Sequence, residues 1–366
     1  MKFTDENTFV APLLAWYDHL GTELPWRGAH DPYHVWLSEI MLQQTQIETV
    51  KPYYARFLAA YPTVQALAIA PLDDVLKLWE GLGYYSRARN LHRAAQQIAE
   101  RIEAGQGFPA TVDDLLALTG VGRYTAGAIA SIAFGVRAPV LDGNVIRVFA
   151  RLLDLPDDVT QSATQAKLWQ VAERWLPEMR TGDYNQALMD LGRLICKPRT
   201  PLCKECPIQA SCAAYANGTQ HERPVKAAKA ETPHYDVAAG IIWNERGEVL
   251  IAQRPLDGLL GGLWEFPGGK QEARETLAQC LQRELREELA IEVEVGELFT
   301  KVRHGFTHFK ITLHAFTCRY ASDHEPQALG VRAFAWVMPE QFDAYSFGKA
   351  DRQVIEALRS RRGMLL

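Results

Sequence analysis

Apolar residues recur at three- and four-residue spacing through most of the first 216 positions. Residues 8–20 form one such amphipathic run. From His34 onward Trp36, Leu37, Ile40, Met41 and Ile47 keep the same period. Pro25-Trp26-Arg27 and Asp31-Pro32-Tyr33 read as turns. The periodic runs break at Pro62, Pro71, 81–83, 105–109, 120–122, Pro139 and Pro156, leaving room for several helices. No strand signal precedes residue 234, so residues 1–216 are expected to be all-α. Residues 217–233 (NGTQHERPVKAAKAETP) are polar, lack apolar period and read as a linker. The texture then changes. Strands are predicted over 237–243, 249–253, 292–295, 310–318 and 333–337, and helices over 277–289 and 350–360. Residues 234–366 are therefore expected to be an α+β domain, with 263–267 as strand and core. There is no internal repeat and no low-complexity tract.

A length of 366 residues allows two or three domains, each able to bury its own core. The net charge of −5 excludes a generally basic nucleic-acid binder, so any contact with DNA must use a local patch or backbone amides. No apolar run reaches the roughly 18 residues of a membrane span. The acidic start, MKFTDENTF, is unlike a signal peptide, and a monomeric, cytoplasmic protein is expected. Four of the six cysteines fall within 196–212, which in a reducing compartment favours metal over disulfides. Cys280 and Cys318 stand alone and read as small buried hydrophobes.

Residues 118–147 (LTGVGRYTAGAIASIAFGVRAPVLDGNVIR) hold the first candidate chemistry. Gly120-Val121-Gly122 lies between a periodic run and a small-residue run, which predicts a helix, a tight hairpin and a second helix. Hairpin amides and the second helix's amino end make a phosphate site. Asp142 follows at the entrance to another helix, where taken alone it reads as an N-cap. The second candidate is Cys196-x6-Cys203-x2-Cys206-x5-Cys212. Four thiolates suit a structural zinc ion or an iron–sulfur cluster. Lys197, Arg199 and Lys204 lie inside this loop and could face DNA phosphates.

The cysteine spacing resembles the iron–sulfur loop of the endonuclease III and MutY superfamily, and with the hairpin and Asp142 the chain resembles the helix-hairpin-helix DNA glycosylases. Within them, several stretches resemble the MutY family of adenine glycosylases: Leu24-Pro25-Trp26-Arg27, Ser38-Glu39-Ile40-Met41-Leu42-Gln43-Gln44-Thr45, Gly81-Leu82-Gly83-Tyr84-Tyr85-Ser86-Arg87 and Asp142-Gly143-Asn144-Val145-Ile146-Arg147. The resemblance implies a 4Fe-4S cluster on Cys196, Cys203, Cys206 and Cys212. It also implies a duplex DNA partner containing adenine opposite 8-oxoguanine or guanine. Cleaving the adenine glycosidic bond calls for a proton on the base and a negative group near the sugar. Glu39 lies in the apolar run 35–42, where desolvation would keep it protonated, and is the expected general acid. Asp142, among polar neighbours, is expected to stay ionised and to stabilise the oxocarbenium ion. Asn144 and Tyr124 are implied to orient it. Related enzymes that also cut the strand carry a lysine where this chain has Tyr124, so base removal without a lyase step is expected.

Flipping the base out leaves a hole that Gln44 is implied to fill, with Tyr84 inserting on the opposite strand. Trp26, Arg27 and Gln186 match the residues lining the family's adenine pocket, and Gly120 and Gly122 the DNA-gripping hairpin. Core packing is the plain alternative for Trp26 and Tyr84, and a solvated helix face for Gln43 and Gln44.

The second domain carries Gly269-x5-Glu275-x7-Arg283-Glu284-Leu285-x-Glu287-Glu288-x-Ala290-Ile291, which resembles a Nudix box with alanine in place of its glycine. Ala273-Arg274 also departs from the usual turn before Glu275. Such MutT-like domains in the MutY family read the 8-oxoguanine, and Phe306-Thr307-His308 resembles the loop that touches it. Glu284, Glu287 and Glu288 share one helical face. Either Mg2+ offsets their repulsion, or Arg283 and neighbouring arginines form a solvated ion-pair lattice. The expected function is an adenine DNA glycosylase. The rivals are a thymine glycosylase for G·T mismatches, a nucleotide-pool Nudix hydrolase with a DNA-binding arm, and a catalytically silent iron–sulfur DNA-binding protein.

Overall fold

A computed structural model describes residues 7–21, 24–28, 30–227 and 231–363. They divide into two compact units, Met1–Ile69 with Asn90–Lys229 and Ala70–Arg89 with Ala230–Leu366. The helices in chain order are α1 (Asn7–Asp18), α2 (Pro32–Leu42), α3 (Ile47–Ala60), α4 (Val64–Ile69), α5 (Leu72–Trp79), α6 (Ser86–Glu103), α7 (Val112–Leu116), α8 (Arg123–Phe134), α9 (Gly143–Leu152), α10 (Ser162–Arg174), α11 (Thr181–Leu194) and α12 (Ala213–Ala216). Thus α5 and the first turn of α6 count with the second unit.

Local chemistry explains the elements that matter here. Asp31-Pro32-Tyr33, read above as a turn, is the start of α2. The Asp31 carboxylate caps the helix by accepting from the Tyr33 amide at 2.8 Å, and Pro32 occupies a first-turn position where no amide is needed. α8 buries its small residues from Thr125 to Ser131 because neighbours come very close. A Cβ on Gly127 would lie 2.2 Å from the Pro139 carbonyl, so the segment leading to Asp142 lies directly on α8. Gly192 of α11 likewise leaves room for Asn144 of α9, which a Cβ would meet at 2.6 Å. One core cluster of this unit packs around Trp175, with the rings of Phe9 and Phe149 edge-on to it at 5.1 and 5.3 Å.

The stretch read as a linker departs from that reading at its first end. Asp154, with φ +49°, accepts from Asn217 and Thr219 and pairs with Arg223 at 2.9 Å. The Val159 amide bonds the Val225 carbonyl, and the Ala227 amide bonds Asp158. Residues 217–227 are therefore fastened to the first unit, by polar partners that a search for apolar period does not register. Residues 228–230 lie outside the described residues.

In the second unit, seven strands among the described residues form one sheet: β1 (His234–Trp243), β2 (Val249–Gln253), β3 (Trp264–Glu265), β4 (Gly268–Lys270), β5 (Val293–Gly305), β6 (Lys310–Tyr320) and β7 (Ala333–Val337). The order is β3-β2-β1-β6-β5, with β4 also on β1 and β7 on β2; β1 and β6 run parallel. The period of two sends Ala238 and Ile242 to α13 (Leu277–Leu289) on one face. It sends Ala239 and Ile241 to α14 (Lys349–Gly363) on the other. β5 runs ten residues past its predicted end at 295. Register irregularities between Val295 and Thr300 break the alternation that would have revealed it. Both departures from the Nudix box fall at left-handed positions, Arg274 at φ +73° and Ala290 at φ +54°. The backbone of the box is thus kept at a cost of about 1–2 kcal/mol per residue. Among the described residues no helix is long and apolar enough to cross a membrane.

Candidate active site

Glu39 lies near the end of α2 and is 7% exposed. Tyr124, the second residue of α8, donates its hydroxyl to Glu39 Oε2 at 2.6 Å and also lies 3.2 Å from Met189 Sδ, so it orients Glu39 and not, as the resemblance implies, Asp142. Burial pushes the Glu39 carboxyl above its ordinary range. The Tyr124 bond and the Arg27 charge oppose the rise, and the Asp142 charge adds to it. The Tyr124 phenol is pushed well above its usual value, so it stays a donor.

Asp142 is the N-cap of α9, as its sequence context suggests, and it is also a member of the site. Its Oδ1 accepts from the amides of Asn144 (3.0 Å) and Val145 (2.8 Å), and its Oδ2 from Asn144 Nδ2 (2.8 Å). Polar neighbours do not leave it unperturbed: burial raises its carboxyl too, against the pull of these bonds. What separates the two acids is the donor count. Asp142 receives three hydrogen bonds that reward the ionised form, and Glu39 receives one.

Arg27 pairs with Asp190 at 2.9 Å, donates to Gln186 Oε1 and lies 3.5 Å from the Tyr17 hydroxyl. Arg27 and Gln186 are therefore joined, and the charge of Arg27 reaches Glu39. Trp26 is buried edge-on against Tyr54 at 5.4 Å, so packing accounts for its ring. Gln44 is exposed at the end of α2 with φ +56°. A left-handed glutamine holds its side chain off the helix path, and such strain concentrates at functional sites. Gly120 needs to be glycine: its φ is +77° and a Cβ would meet the Asn90 side chain at 2.5 Å. Gly122 meets neither demand, with φ −94° and open space where its Cβ would lie. It caps α8 without a side-chain acceptor, so the first-turn amides of α8 remain available to an anion.

Two arginines of α9, which neither the hairpin nor the cysteine spacing points to, join Asp142 to the cysteine loop. Arg147 donates to Asn144 Oδ1 (2.9 Å), the Cys196 carbonyl (2.6 Å) and the Gly192 carbonyl (2.5 Å). Arg151 is 2% exposed and donates to Cys196 Sγ (3.2 Å) and the carbonyls of Lys197, Pro198 and Arg223. The four loop thiols line one cavity beside Arg151. Among the described residues no group of three or more His, Cys, Asp or Glu side chains is placed to hold a metal ion. Four thiols lining one cavity, with an arginine N–H on one sulfur, fit a group held by four thiolates. Burial raises the thiols of Cys203, Cys206 and Cys212, with Cys206 pushed up to about 12, so ligation has to deprotonate them.

In the second unit Tyr84 is 44% exposed at φ +49°, not core. Arg87 lies under its ring at 5.4 Å and holds the turn through the Leu82 and Gly83 carbonyls. The Tyr84 hydroxyl lies 3.2 Å from Thr307 Oγ1. Thr307 and His308 are exposed on a tight hairpin closed by the Phe306 amide and Phe309 carbonyl, with those two rings 4.7 Å apart. Among the described residues no three carboxylates of the Nudix box are placed to share a metal ion. Arg283 binds Glu275 (2.8 Å), Glu284 (2.9 Å) and Glu287 (3.2 Å), the ion-pair lattice of the alternative reading. Glu288 takes no part in that lattice; burial pushes it up to about 7, and the charges of Glu265 and Glu284 add to the rise.

Comparison with known proteins agrees with this layout. Residues 37–174 match the HhH-GPD superfamily base excision DNA repair protein family, and residues 238–357 match the NUDIX domain. The adenine DNA glycosylase of Mus musculus is 35% identical over an alignment of 415 residues, covering 98% of this chain and 79% of the relative. That of Homo sapiens is 34% identical, covering 97% and 75%. The solved structure of a thermostable thymine-DNA glycosylase is similar at a TM-score of 0.52 and 30% identity, covering 58% of this chain and 97% of that one.

Proposed function

The chain belongs to the adenine DNA glycosylases of base-excision repair, and from that premise we propose that it hydrolyses the glycosidic bond of adenine mispaired with 8-oxoguanine, and more slowly of adenine opposite guanine. The observation that carries the reading is Glu39 buried against the Tyr124 hydroxyl, in the field of an Asp142 held by three donors.

Protonated Glu39 delivers its proton to N7 of the flipped adenine, and the base leaves with the glycosidic electron pair. Asp142 faces the developing positive charge on the sugar, and Asn144 fixes its orientation. Ionised Glu39 then takes a proton from the water that adds to C1′, which leaves an abasic site and restores the acid. Arg27 and Gln186, held by Asp190, position the base. Gln44 fills the gap it leaves, and Tyr84 inserts on the other strand. Cys196, Cys203, Cys206 and Cys212 would hold a 4Fe-4S cluster, whose contribution is to fix a loop bearing Lys197, Arg199 and Lys204 for DNA phosphates. Tyr124 offers no amine, so the abasic strand is not cut through a Schiff base.

The test is single-turnover base release from duplexes with a central adenine opposite 8-oxoguanine, adenine opposite guanine, and thymine opposite guanine, each with a borohydride arm. Adenine release fastest opposite 8-oxoguanine, without a trapped adduct, is expected. Thymine release would move the pocket assignment toward the thymine-specific rival, and a trapped adduct would overturn the monofunctional reading.

Thr307 supplies the hydroxyl that reads the oxidised base. Thr307→Val keeps the shape and removes one hydrogen bond, worth about 1 kcal/mol. The preference for 8-oxoguanine over guanine is expected to narrow by about fivefold. An unchanged ratio rejects the assignment.

A further inference from the structure

The register of the second unit's sheet places Lys301 and Arg303 of β5 opposite His314 and Thr312 of β6. These side chains share a face with His234 and Asp236 of β1, as two hydrogen bonds confirm: His234 to Thr312 at 3.0 Å and His314 to Asp236 at 2.8 Å. Lys310, two residues before Thr312, points the same way. α13 covers this face over Ala238, Ile242 and Cys318, and Lys301, which shares a row with Ala238 through His314, stays exposed on the edge strand β5. The exposed part of the face thus gathers Lys301, Arg303 and Lys310, and the strand carboxylate beside them, Asp236, is bonded to His314.

Lys301, Arg303 and Lys310 are exposed and have no carboxylate partner among the described residues. Elsewhere in the unit Arg254, Arg283, Arg286, Arg319 and Arg352 are each paired with one. In a chain of net charge −5, unpaired cations gathered on one strand face are a local reserve of positive charge. They also stand at the base of the hairpin that presents Thr307 and His308, since Lys310 follows it directly and Arg303 precedes it by three residues.

We propose that Lys301, Arg303 and Lys310 form a phosphate-binding strip that holds the DNA strand carrying the oxidised guanine while the hairpin reads the base. The strip rests on the glycosylase reading and assigns a second role to the sheet: backbone contacts set register and base contacts specify. Each phosphate contact releases counterions, so its signature is the salt dependence of binding.

The experiment measures Kd against salt for the full, cluster-loaded protein on a duplex carrying 8-oxoguanine opposite 2′-fluoro-2′-deoxyadenosine, which resists cleavage. For the Lys301→Ala/Arg303→Ala/Lys310→Ala protein the slope of log Kd against log salt is expected to fall by about 2.7, that is, roughly 0.9 for each of three contacts. Affinity near 0.1 M salt should weaken on the order of tenfold or more. The charge-keeping Lys301→Arg/Arg303→Lys/Lys310→Arg protein should retain the wild-type slope. So should Arg286→Ala/Arg319→Ala, which removes two paired arginines from the same unit. A wild-type slope in the triple alanine protein, or an equal loss in the paired-arginine control, overturns the strip. Failure of the wild-type protein to release adenine from the matching ordinary duplex would instead strike the glycosylase reading, whatever the slopes show.

Discussion

The Glu39→Gln protein releases adenine about 10²–10⁴-fold more slowly than wild type at saturating enzyme, while binding to the mispaired duplex is retained. Glutamine matches glutamate in size and can still accept from Tyr124, so the site keeps its shape and loses only the proton it can give. Any large effect is then chemical. A fall of less than tenfold would remove Glu39 from the acid role and return the site to its second carboxylate.

The same acid predicts the pH profile. Burial raises the Glu39 pKa, so the acid form persists to higher pH than in an ordinary carboxyl group, and the rate declines as pH rises through that raised value. The hydrogen bond from Tyr124 favours the ionised form and lowers the pKa. Its removal in Tyr124→Phe shifts the alkaline limb toward higher pH. A shift in the opposite direction would mean that the Tyr124 hydroxyl supports the protonated acid.

Local chemistry marks the elements of the candidate site more than its roles. Two glycines mark the hairpin at 120–122, and Asp142 reads as a helix start, which it is. Glu39 interrupts an apolar run, and only its occurrence together with the hairpin, Asp142 and the cysteine loop, in a chain resembling the glycosylases, singles it out. The cysteine spacing is equally local. The groups that join them leave no such mark. Asp190 meets Arg27 across 163 positions, Met189 meets Tyr124 across 65, and Arg151 meets Cys196 across 45. Each is an ordinary helix residue until tertiary packing brings the partner. The same limit hid the anchoring of residues 217–227 on Asp154. On the Nudix helix both the metal and the arginine readings satisfied the spacing, and only side-chain placement separates Arg283's lattice from a convergent carboxylate set.

Arg151 is the buried member of that wiring with four acceptors to serve. Its guanidinium is buried and serves one sulfur and three carbonyls, Lys197 at 2.8 Å, Pro198 at 2.9 Å and Arg223 at 3.1 Å. Arg151→Met leaves those acceptors buried without donors, at about 1–3 kcal/mol for each that water cannot reach. A total of about 3 kcal/mol lowers the melting temperature of the first unit by roughly 6–12 °C. Because the loop carries the thiols, iron content and visible cluster absorbance should fall in step. The consequence reaches the chemistry through α9, where Arg147 bonds both Cys196 and Asn144, and Asn144 holds Asp142. Arg151→Lys keeps the charge but cannot spread donors over four acceptors, so it should fall between wild type and Arg151→Met. Full iron occupancy and an unchanged melting temperature in Arg151→Met would show that the loop stands without α9. The cysteine loop and Asp142 would then be neighbours and not parts of one assembly.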